Sequence, residues 1–177
     1  MQLRSYTVAL GKSKKHEIMT NVEINKQARL SEHFTLAEMC KTSAKTADGN
    51  IPSHVHIENL RRLCSWLEML RDEWNRRYGE GDDPIIINSG YRSEAVNKAI
   101  GGAKGSNHLT GCAADIRVAG MEQAFRYSVI LLDISDESRE DFDELLLERS
   151  PRSTYWLHFA VRPPSQENRR KVAFLRA

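Results

Sequence analysis

The chain has 177 residues, 40% of them hydrophobic and 28% charged, with 26 basic and 24 acidic side chains and a formal charge of +2. That balance excludes a wholly disordered, low-complexity or collagen-like chain, and the length suits one domain with a real core. No apolar run nears the roughly 20 residues a membrane span requires, so no span is expected.

The three cysteines, Cys40, Cys64 and Cys112, are odd in number and form no C-x-x-C pair. A disulfide framework or a thiolate metal site is therefore not expected. The N-terminal stretch has no apolar core of secretory-signal length, so the chain is expected to be made in the cytoplasm without its own signal peptide.

Residues 1–30 are polar and Lys-rich (Lys12, Lys14, Lys15) and read as an N-terminal extension. Thr35 to Glu38 has the form of a capping box, which predicts a short helix. Residues 41–53 are loop, and Ser53 caps the longest helix. There Ile57, Leu60, Leu63, Cys64, Leu67, Leu70 and Trp74 recur at spacings of three and four, with Arg61, Arg62, Arg76 and Arg77 on the wet face. Gly79 and Gly81 end it. Pro84 to Asn88 predicts a buried strand, and Ser93 caps a short helix that stops at Gly101 and Gly102. A strand over Cys112 to Val118, a helix over Met121 to Leu132, and strands over Phe142 to Glu148 and Tyr155 to Val161 complete a domain spanning 31–165. Residues 166–177, with Arg169, Arg170 and Lys171, read as a basic C-terminal tail. This order makes the fold class α+β, a small sheet flanked by helices.

Two segments carry residues suited to chemistry. In Ser106 to Asp115 a histidine and an aspartate lie seven apart across a glycine turn. Strand alternation puts Ala113, Asp115 and Arg117 on one face, with Ala114, Ile116 and Val118 on the core face. In Tyr155 to Val161, Leu157, Phe159 and Val161 share the core face, and His158 lies opposite with Trp156 and Ala160. A mid-strand histidine needs either a hydrogen-bond partner or a metal for its ring nitrogens. His108, Asp115 and His158 together have the composition of a catalytic zinc site with a fourth position for water. His16, His33, His54 and His56 read as ordinary surface or loop residues.

Ser89-Gly90-Tyr91-Arg92-Ser93, Asn97, Gly101-Gly102, Ser106-x-His108-x-x-Gly111-x-Ala113-x-Asp115 and Trp156-x-His158 follow one another in order. This series resembles the zinc D-Ala-D-Ala carboxypeptidase family, in particular its phage-type cell-wall peptidases. That family shares its core fold with the amino-terminal signalling domain of hedgehog, so a small, mostly antiparallel sheet is implied. The resemblance runs from about His33 to Val161. It implies Zn²⁺ as cofactor with His108, Asp115 and His158 as ligands. It also implies Arg92 beside the metal facing a substrate oxygen, and Ser106, Tyr91 and Trp156 as substrate-binding residues.

Many relatives place a Glu just before the last histidine, where this chain has Ser153, Thr154 and Tyr155. The alternative pattern, F-D-x-x-x-x-E, matches Phe142 to Glu148 and makes Glu148 the base, with Asp143 as substitute and Asp141 and Glu144 as surface charges. The expected activity is zinc-dependent cleavage of peptidoglycan stem peptides, as carboxypeptidase or endopeptidase, by a monomer acting at the bacterial cell wall or periplasm. The missing signal suits an endolysin-like phage or prophage enzyme. The competing expectation is a zinc-bearing recognition module without catalysis. Nucleic-acid binding through the scattered arginine pairs ranks last, because no nucleic-acid motif accompanies them.

Overall fold

The structure, a computed structural model, describes residues 27–79 and 81–176. Most of the N-terminal extension, residues 1–26, lies outside the described residues. Helix α1 (Leu36–Met39) starts where Thr35 accepts the Glu38 N–H. Helix α2 (His54–Arg77) starts at Ser53, which accepts the His56 N–H, while the His56 ring accepts the Ser53 N–H. His56 is thus part of a cap rather than an idle surface residue, and His33 pairs with Glu68 at 2.7 Å. Strand β1 (Ile87–Ser89), helix α3 (Glu94–Ala99), a 3₁₀ turn (Asn107–Thr110), strand β2 (Ala113–Arg117) and helix α4 (Met121–Ser138) follow. Strands β3 (Glu144–Arg149), β4 (Tyr155–Ala160) and β5 (Lys171–Arg176) end the described chain.

The five strands make one mixed sheet in the order β1-β2-β4-β3-β5. The β1–β2, β2–β4 and β4–β3 pairs are antiparallel, and β3–β5 is parallel. One sheet face packs on α2 and α4. Trp66 of α2 stands 5.4 Å from the Phe159 ring and 6.5 Å from that of Phe142, and Trp74 meets Tyr127 of α4 edge-on at 4.9 Å. Ala114, Ile116, Leu145, Leu147, Leu157 and Phe159 supply the sheet's side of this core. The other face is left for the polar residues that alternate with them.

Three elements differ from the sequence reading. The strand expected over 84–88 pairs only at Ile87–Ser89, although Ile85 is also buried; Pro84 has no N–H to donate to a ladder. Helix α4 runs past Leu132 to Ser138, because Ile134 extends the buried stripe of Ala124, Tyr127, Ile130 and Leu131; it ends where Arg139 turns left-handed at φ 59°. Most consequentially, part of the basic tail is a strand. In β5, Val172 and Phe174 sit opposite Leu145 and Leu147 of β3. The short apolar run Val172 to Leu175 carries a strand signal that the flanking charges obscure.

Candidate metal centre

The two central strands set the site. Their register places Asp115 of β2 directly opposite His158 of β4, and His158 opposite Leu146 of β3. Alternation then gathers Asp115, His158, Trp156, Glu144, Leu146 and Glu148 on the face away from α2 and α4. His108 arrives from the 3₁₀ turn. Ser106 caps that turn by accepting the His108 N–H, and Gly111, at φ 72°, swings the chain into β2. A Cβ at Gly111 would collide with the His56 carbonyl of α2, so the turn is fixed by both its dihedral and its neighbour.

His108 Nδ1 lies 2.6 Å from the Gly90 carbonyl oxygen. A carbonyl only accepts, so Nδ1 carries the hydrogen and Nε2 presents its lone pair to the site. That Nε2 is 3.2 Å from Asp115 Oδ1, and His158 Nδ1 is 2.9 Å from the same oxygen. One ligand atom from each of the three residues falls within 4.8 Å of the others. All three side chains are buried, at 2%, 8% and 8% residue exposure, so none is merely a solvated polar group. Two imidazole nitrogens and one carboxylate oxygen converging in a buried spot form a donor set that fits Zn²⁺.

The charges agree. Burial pushes the His108 imidazole toward its neutral, ligand-ready form. Burial would raise Asp115, but the two histidines outweigh it and hold the carboxylate well below the usual range. Burial would lower His158, yet its hydrogen bond to Asp115 and the Glu144 carboxylate beyond its ring push it up to about 9. The spot between Asp115 and His158 therefore favours a positive charge, and a metal bound there competes with a proton for Nδ1.

A cavity of about 370 Å³ opens on this group. Arg92, Ser106, Glu148 and Trp156 line it together with the three ligand candidates. Arg92 donates to Ser89 Oγ at 2.8 Å and pairs with Asp115 Oδ2. Glu148, opposite Trp156 in the ladder, is half-buried, and burial raises its pKa against the pull of the His158 charge. Glu144 is drawn the other way, down to about 2, first by the neighbouring His158 imidazole. Two carboxylates of one strand thus differ in proton affinity.

Three sequence expectations need correction. Tyr91 does not line the cavity: it is 5% exposed, joins the core, and stacks 4.9 Å from His56. Its neighbour Arg92 takes the cavity side. Asp143 is no substitute base, because it is wholly buried and tied to Arg162 at 2.8 Å and Arg169 at 2.7 Å. Glu144 is no surface charge; it lines the cavity with Asn107 and Arg169, which the sequence analysis did not single out. Glu144 lies four residues from Glu148 in one strand, so alternation alone could have revealed it.

The profile of the peptidase M15 family matches residues 32–131, more than half of the chain. The chain belongs to the peptidase M15 family. A curated relative, the zinc D-Ala-D-Ala carboxypeptidase of Streptomyces albus G, is 31% identical over 84 residues. Those residues are 48% of this chain and 31% of that protein, so this M15 chain matches about a third of its relative's length. The family match contains Arg92, His108 and Asp115 and stops within α4, before Glu148 and His158. The pairing of β2 with β4 is what brings His158 to Asp115.

Proposed function

We propose that this chain is a zinc-dependent peptidase acting on peptidoglycan stem peptides, in which His108 Nε2, Asp115 and His158 Nδ1 hold Zn²⁺. The observation that carries this is the buried three-residue donor set opening on a cavity that also holds Glu148 and Arg92. Bound zinc supplies Lewis acidity, lowering the pKa of water and polarising the scissile carbonyl. Glu148 is the general base: its carboxylate takes a proton from the attacking water as the new C–O bond forms. The same carboxyl returns that proton to the amine nitrogen as the C–N bond breaks. Arg92 places a permanent positive charge beside the developing oxyanion. Trp156 and Leu146 give the cavity an apolar wall against which a peptide side chain can lie.

The D-Ala content of the substrate follows the relative's name, and the stem peptide and action at the cell wall follow from the motif resemblance. Among the described residues no helix is long and apolar enough to cross a membrane. The test is mass spectrometry of purified peptidoglycan incubated with the protein, with and without a chelator. Shorter stem peptides formed only without chelator are expected, and their masses identify the bond cut. Unchanged masses with zinc present in the protein would replace the peptidase reading with that of a zinc-bearing recognition module.

A further inference from the structure

Glu144 has no step in the reaction above, yet it is the most heavily partnered carboxylate in the cavity. Its side chain is only 14% exposed. Oε2 lies 3.6 Å from His158 Nε2, the ring nitrogen turned away from Asp115, and accepts from Asn107 Nδ2 at 3.1 Å. Oε1 accepts from Lys171 Nζ at 3.2 Å and sits 3.0 Å from an Arg169 nitrogen. These partners come from the 3₁₀ turn, β4, β5 and the residues leading into β5. Arg169 and Asn107 are themselves fixed by buried Asp143, at 2.7 and 2.8 Å.

We propose that Glu144 is a positioning residue for the metal centre, selecting the ring orientation of His158 from its Nε2 side, and that Arg169 and Lys171 hold Glu144 in place for that task. This rests on His158 being a ligand. An imidazole on a strand can turn over about its Cβ–Cγ bond, putting Cδ2 where Nδ1 was, and only one orientation aims a lone pair at the site. A carboxylate beyond the ring favours the tautomer with hydrogen on Nε2, which leaves the Nδ1 lone pair facing Asp115. At 3.6 Å the contact is an ion-pair distance rather than a full hydrogen bond, so it acts through charge. Both Glu144 oxygens already face donors, which separates it from the base, Glu148. The C-terminal strand thereby becomes part of the metal centre without contributing a ligand.

The experiment measures zinc affinity by chelator competition, the visible spectrum of the Co²⁺-substituted protein, and the rise in Tm on adding zinc. It compares wild type with Glu144→Ala, Glu144→Asp, Glu144→Gln and His158→Ala. Glu144→Ala is expected to weaken zinc binding about 10- to 100-fold, the range seen when such outer partners are removed. Its cobalt spectrum should change and its zinc-induced Tm rise should shrink. Glu144→Asp keeps the charge facing Arg169 and Lys171 but is one methylene short of the ring. It should lose affinity similarly, and it decides the matter if the alanine variant does not fold. Glu144→Gln, which keeps length but not charge, should lose affinity as well, because the 3.6 Å contact acts through charge. A purely structural role would lower Tm with and without zinc and leave affinity and spectrum alone. A folded Glu144→Asp with wild-type affinity and spectrum overturns the proposal. Wild-type zinc binding by His158→Ala would instead overturn the ligand set on which it rests.

Discussion

Replacing Gly90 with alanine should damage both the fold and the metal centre, through one peptide group. Gly90 is not among the glycines at positive φ, so its dihedrals alone would tolerate a side chain. The space does not. A Cβ there would stand 3.1 Å from the Cα and carbonyl carbon of Met39 and still closer to that carbonyl oxygen, inside the distance real Cβ atoms keep. The same oxygen accepts the Tyr91 N–H at 2.7 Å, so the clash cannot be relieved without stretching that bond. Overpacking of this kind costs about 1–3 kcal/mol and a weakened buried hydrogen bond about 1 kcal/mol, which together predict a loss of about 2–4 kcal/mol. The Gly90 carbonyl also receives His108 Nδ1–H, and its displacement should weaken zinc binding at least about tenfold. Urea unfolding and chelator competition measure the two effects. A Gly90→Ala protein with wild-type urea midpoint and zinc affinity would refute the steric account, and loss of stability alone would refute the anchoring role of the carbonyl.

Glu148→Gln should lower kcat about 10²- to 10⁴-fold in a peptide-release assay with zinc content unchanged, and activity within threefold of wild type would remove Glu148 from the chemistry. Trp66→Ala deletes the ring that packs on Phe142 and Phe159, and should cost about 3–5 kcal/mol in urea unfolding; a loss under about 1 kcal/mol would contradict the packing described. Chelator-treated protein should lose stability at both ends of the pH range. Glu144 titrates near 2 when folded against an ordinary 4.5, so its contribution is complete above about pH 5 and drains as pH falls toward 2. His158 titrates near 9 against an ordinary 6.5, so its contribution is complete below about pH 6 and is lost as pH rises through 9. Zinc should abolish the alkaline decline, because the metal replaces the proton; a decline of equal size in zinc-loaded protein would exclude His158 as its source.

Much of the arrangement is legible in the chain. Period-two alternation in 112–118 and 155–161 separates Asp115 and His158 from their core-facing neighbours, and the structure keeps that separation. The caps at Thr35, Ser53 and Ser93 mark helix starts because each needs only a local hydroxyl and nearby N–H groups. What alternation does not supply is register. Nothing local says that Asp115 pairs with His158, 43 residues away, or that Asn107 and Glu144 meet across 37. The parallel pairing of β5 with β3 is hidden for the same reason, since Arg169, Arg170 and Lys171 are also what a solvated tail would carry. Their partners Asp143, Asp136, Asp141 and Glu144 appear only in three dimensions. Tyr91 misleads because it adjoins Arg92 in the motif, while neighbouring residues of an extended segment point to opposite sides.

The sheet order has a practical meaning for redesign. Asp115 and His158 stand on β2 and β4, each of which has a ladder on both sides. Their spacing is therefore held by backbone far from any free edge. The 150–154 connection contributes no residue to the cavity and can be lengthened or exchanged while the donor atoms stay put, whereas 41–53 holds buried Asn50, which bonds the Tyr91 carbonyl and the Ser93 N–H on either side of Arg92. The 103–106 and 162–170 segments are also not free, because Ala103, Gly105, Ser106 and Arg169 line the cavity from them. Grafting confined to 150–154 should leave metal affinity unchanged, and grafting that includes 162–170 should change it.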